Sequence, residues 1–81
     1  MLNGPKKRDA AIPGAVDWFD AEEGWGALRA PEVPGGCFVH FSMIQSDGYR
    51  QLVAGQRVHF TFDAPGQDGY PFRALDVWPD E

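Results

Sequence analysis

WFDAEEGWGALRAPEVPGGCFVHF, running from Trp18 to Phe41, is the stretch whose reading decides the fold. Within it, Pro31 to Gly36 is too rich in proline and glycine to stay in a strand, so it reads as a loop between two short strands. On the first of these, Gly24 to Ala30, strand alternation puts Trp25 and Ala27 on one face and Gly26 and Leu28 on the other. Leu28 is therefore the expected core contact. On the second, Cys37 to Phe41, Cys37 and Val39 point inward, which leaves Phe38 and His40 on the face that carries Trp25. Glycines on either side of Trp25 keep bulk away from that ring.

Working outward, an earlier strand is expected from Ala15 to Phe19, with Val16 inward and Trp18 on the opposite face. Phe19 directly after Trp18 implies a bulge or strong twist that uses both rings. Asp20 to Gly24 makes the turn, with Asp20 closing it through its own side chain and Gly24 supplying a positive φ. Ser42, Met43 and Ile44 begin a single helical turn capped by Ser42, and Ile44 plugs one end of the barrel. Gln45 to Gly55 has no sustained period and reads as a long surface loop, where Tyr49 is able to stack. Arg57 to Asp63 alternates in strict period two, assigning Phe60 and Phe62 to the core. Ala64 to Gly69 is a turn, and the last strand opens at Pro71. Leu75 and Val77 are expected inward, Phe72 and Ala74 on the side of the exposed rings, and Trp78 as a cap at the end. Five short strands without a real helix give an all-β fold, a five-stranded antiparallel Greek-key barrel of the oligonucleotide-binding type.

A length of 81 residues allows one domain with one modest core. It divides into a basic arm over 1–12 and a barrel over 13–79. The net charge is −5, yet Lys6, Lys7 and Arg8 hold three of the seven basic residues in the leading arm. From Pro13 onward four arginines face eleven carboxylates, a body unsuited to tight binding of phosphate-rich duplexes. Bases can still be bound by their faces. The lone cysteine cannot form an internal disulfide and sits in an apolar run. One cysteine and two separated histidines make no zinc-ligand pattern, no triad has suggestive spacing, and the glycines precede no helix that would form a phosphate loop. No catalytic residue, metal or cofactor is expected. With no apolar run long enough for a bilayer and no secretory signal, a cytoplasmic protein without a membrane partner is expected. The aromatic face reads as a stacking surface for unpaired bases; the competing reading is that its rings are simply core.

The residues then resemble the bacterial cold-shock domain. Val16 to Phe19 is similar to that family's VKWF, EGWGAL from Glu23 to Leu28 to its KGFGFI, and CFVHFS from Cys37 to Ser42 to its VFVHFS. IQSDGYRQL from Ile44 to Leu52, followed by Ala54 to Val58, resembles IQxDGYKSLxEGQxV. The likeness runs from about Gly14 to Val77. It implies a barrel that binds single-stranded RNA or DNA with little sequence preference, as an RNA chaperone or a cold-shock or transcription regulator, commonly a monomer. The implied stacking residues are Trp18, Phe19, Trp25, Phe38, Phe41 and Tyr49, with His40 beside them. Three features depart from the pattern: Asp17 and Glu23 stand where lysines are frequent, and Ala27 where a second aromatic stands. The final hairpin, GQDGYPFRALDV, also differs, and its Tyr70 and Phe72 are rings available to replace the lost stacking area or to serve another partner. Phe72 therefore joins the expected nucleic-acid-binding set. A protein-interaction module on the same barrel is the alternative function.

Overall fold

Strands form where the alternating stretches lie. The computed structural model describes residues 7–46, 48 and 50–80. Its strands are β1 (Ile12–Asp20), β2 (Trp25–Arg29), β3 (Cys37–His40), β4 (Arg57–Asp63) and β5 (Phe72–Pro79). They close into a barrel in the order β1-β2-β3-β5-β4. Four of the neighbouring pairs are antiparallel, and the pair β3–β5 is parallel. The expected all-β barrel of five strands is present, and its single parallel pair follows from parity. A closed ring with an odd number of strands cannot alternate direction all the way round, so one parallel seam is unavoidable.

The interior follows the period of two. Val16, Leu28, Cys37, Val39, Val58, Phe60 and Val77 are all fully buried. Phe62 packs against this cluster from a half-buried position. Ile44 is buried at the barrel end and bridges to Val77. Two core residues come from segments read as loops, Val33 and Leu52. Val33 is held by successive turns, its N–H donating to Ala30 O and its carbonyl accepting from Gly36 N–H.

The first strand begins earlier than expected. Ile12 pairs with Phe60 and packs against the core, and Lys7–Ala10 forms a 3-10 turn, so this part of the expected arm carries regular structure. Residues 1–6 lie outside the described residues. Strict alternation would put Val16 and Trp18 on one face. A register shift between Val16, opposite Leu28, and Trp18, opposite Ala27, takes up Asp17 as the extra residue and turns Trp18 outward. Phe19, opposite Gly26, then faces the interior.

A second shift corrects the reading of β5. Thr61 pairs with Asp76 and Phe62 with Ala74, which leaves Leu75 out of the ladder. Ala74 and Val77 are consequently the buried residues and Leu75 is half-buried. Phe72 lies opposite the buried Cys37 and packs against the core, edge-on to Phe62 at 5.7 Å. It is not on the outer ring face. The helical turn spans Phe41–Met43 and is capped by His40, not Ser42, because His40 is still extended and its side chain accepts the Ser42 N–H, while Ser42 is already inside the turn.

Candidate nucleic-acid interface

The outer face of β1, β2 and β3 gathers the rings. Trp18 meets Trp25 edge-on with centroids 4.8 Å apart, and Trp25 lies over Phe38 at 5.5 Å with the planes tilted by 31°. His40, directly opposite Trp25 in the β2–β3 ladder, stacks on Phe41 at 4.4 Å. The turn that delivers Trp25 is fixed by Asp20, whose Oδ1 accepts from the N–H groups of both Glu22 and Glu23 at 2.9 Å. Gly24 closes it at φ 81°, and a Cβ there would come within 2.6 Å of the Phe41 ring. Gly26 has no room either, since its backbone abuts the Trp18 carbonyl and the Phe19 ring.

Hydrogen bonds hold two of these rings in place. The Nδ1 of His40 accepts the Ser42 N–H at 3.2 Å and lies 2.8 Å from the Ser42 hydroxyl. The indole N–H of Trp18 donates to the hydroxyl of Tyr70 at 2.8 Å. Tyr70 stands in the loop between β4 and β5, outside any strand. Alternation therefore assigns it no face, and only its aromatic character marked it in the sequence.

Exposure differs from ring to ring. Phe41 is 43% exposed, Trp18, Trp25 and His40 are half-buried, and Phe38 is 4% exposed beneath Trp25. Phe38 is thus a support for the face more than a part of its open surface.

Charge around the rings is mixed. Asp17 and Glu23 are exposed beside them. Arg73 is opposite Phe38 in the closing ladder, but its Nε is engaged by Asp63 at 3.0 Å. Arg29 folds back so that Nη1 reaches the Val16 carbonyl at 3.2 Å. It shares with Arg57, Pro13, Ala15 and Pro31 an open groove of about 700 Å³ at the far end of β2. Among the described residues no helix is long and apolar enough to cross a membrane.

The family model described as the 'Cold-shock' DNA-binding domain matches residues 12–79. The chain belongs to the cold-shock domain family. Its similarity to cold shock protein 1 of Lactiplantibacillus plantarum is 44% identity over 66 residues, 82% of this chain and 94% of that one. To the cold shock-like protein CspB of Escherichia coli (strain K12) it is 43% identical over 53 residues, 65% of this chain and 75% of the relative. Cold shock protein CspC of Bacillus subtilis (strain 168) matches at 51% over 47 residues, 58% and 70% of the two chains. Membership makes this a nucleic-acid-binding domain and not an enzyme.

On this cold-shock barrel five of the expected site residues come together: Trp18, Trp25, Phe38, His40 and Phe41. Phe19 and Phe72 do not join them, because both pack partly against the core. Tyr49 lies outside the described residues.

Proposed function

We propose that this protein binds unstructured single-stranded RNA or DNA by stacking bases on Trp18, Trp25, His40 and Phe41, with little preference for sequence. Phe38 supports Trp25 from beneath. The observation that carries this reading is the continuous outer face of rings, one of them an exposed phenylalanine, in a domain whose interior is already filled. A core does not require these rings. Each stacked base contributes roughly 1–3 kcal/mol, and ordering a flexible strand takes back several, so affinity in the micromolar range is expected. Capturing unpaired bases shifts an RNA folding equilibrium as far as the affinity difference between open and paired forms allows, which is the action of an RNA chaperone. The protein acts as a cytoplasmic monomer in this reading.

The test is tryptophan fluorescence titrated with oligothymidine and oligouridine, on the native protein and on Trp25→Ala. Saturating quenching, weakened about tenfold in the variant, is the expected result. No quenching up to high micromolar oligonucleotide would overturn the proposal and turn attention to a protein partner.

A further inference from the structure

The outer face contains one small residue that is fully enclosed by its neighbours. Ala27 points outward from the middle of β2, opposite Trp18 on one side and Phe38 on the other, and yet it is 1% exposed. It does not belong to the interior cluster. Its methyl is covered by larger side chains around it, with Trp18 and Phe38 directly across the two ladders.

Tyr70 is in the right place to be one of them. Its ring sits against Gly36, just ahead of β3, where an added Cβ would come within 2.8 Å of Tyr70 Cδ1. Its hydroxyl meets the Trp18 indole in β1 at 2.8 Å. A side chain that touches the lead into β3 and also a ring on β1 must cross the intervening strand, and the outward residue of β2 at that crossing is Ala27. Gly66 packs against the backbone of Tyr70, Pro71 and Phe72 with no room for a side chain, which fixes the loop that carries Tyr70.

We infer that Tyr70 is a ring of the base-stacking face, delivered from the β4–β5 loop into the space above Ala27, and that its hydroxyl positions Trp18. This deepens the function proposed above and rests on it. The ring supplies area for a base. The Oη–Nε1 bond fixes the plane of the indole, so Trp18 meets a base without first losing rotational freedom. Substituting the ring and removing the hydroxyl should therefore have separable effects.

The experiment compares oligothymidine affinity and tryptophan emission in native protein, Tyr70→Phe, Tyr70→Ala, and the double variant Ala27→Phe with Tyr70→Ala, after thermal unfolding shows each to be folded. Tyr70→Ala should weaken binding about five- to tenfold, as for loss of one stacked ring. Tyr70→Phe should weaken it about twofold and shift the emission of the unliganded protein, because the indole loses its acceptor. The double variant, which returns a ring to the same space from β2, should recover most of the affinity; a ring with a merely structural role would not give that recovery. Native affinity in Tyr70→Ala, alongside a clear loss in Trp25→Ala, would overturn this inference and leave the stacking function intact. Tighter binding in Tyr70→Ala would also overturn it, showing the ring to be an obstacle. No binding by the native protein would sink the stacking function and this role with it.

Discussion

Cys37 has no exposed surface, and burial pushes its thiol up from an ordinary 9.0 to about 12. Two outcomes follow at this residue. The folded protein should resist thiol-modifying reagents near pH 8, reacting only once denaturant exposes Cys37; rapid native labelling would show that β3 opens readily. The folded state also keeps this proton where the unfolded chain has lost it. Stability from this group is therefore full below about pH 9 and is lost as pH rises toward about 12. Urea midpoints measured across that window should fall, and the fall should be shallower in Cys37→Ala.

Among the elements, β4 was readable to its ends because nothing interrupts its alternation, and Phe60 and Phe62 carry the two grades of burial it offers. Phe60→Ala removes a fully buried ring and should cost about 3–5 kcal/mol in urea denaturation, with a clearly smaller loss for the half-buried Phe62→Ala. Equal losses would mean that the interior is not centred on Phe60. The neighbouring strands were less legible, for identifiable reasons. Pro13 and Gly14 in β1 look like breakers, yet they pair with His59 and Val58 of β4. No glycine or proline announces the irregularity at Leu75, so a period of two carried through it put Phe72, Ala74 and Leu75 on the wrong faces. Val33 and Leu52 lie in segments without a period, and only the closed barrel brings them inside. The ring face was legible wherever a ladder carried it, at Trp25, Phe38 and His40. It was not legible at Tyr70, which reaches the face from a loop.

For the whole molecule, the balance of charge decides how binding responds to salt. Exposed Asp17 and Glu23 border the rings, while Arg73 and Arg29 are engaged by Asp63 and the Val16 carbonyl. With about one or two phosphates neutralised, the slope of log affinity against log salt should be near −1. Asp17→Lys replaces a repelling carboxylate and should bind more tightly, with a slope steeper by about 0.7. An unchanged slope would place the phosphates away from β1. The parallel seam has a kinetic counterpart. It joins β3 to β5 through two residue pairs, Cys37 with Phe72 and Phe38 with Arg73, whereas β4 and β5 share six. A closed ring of strands opens first where the ladder is shortest. Amide hydrogen exchange should therefore be least protected along this join and most protected between β4 and β5, so that the barrel breathes as a sheet hinged on β1 and unlatched beneath Phe38.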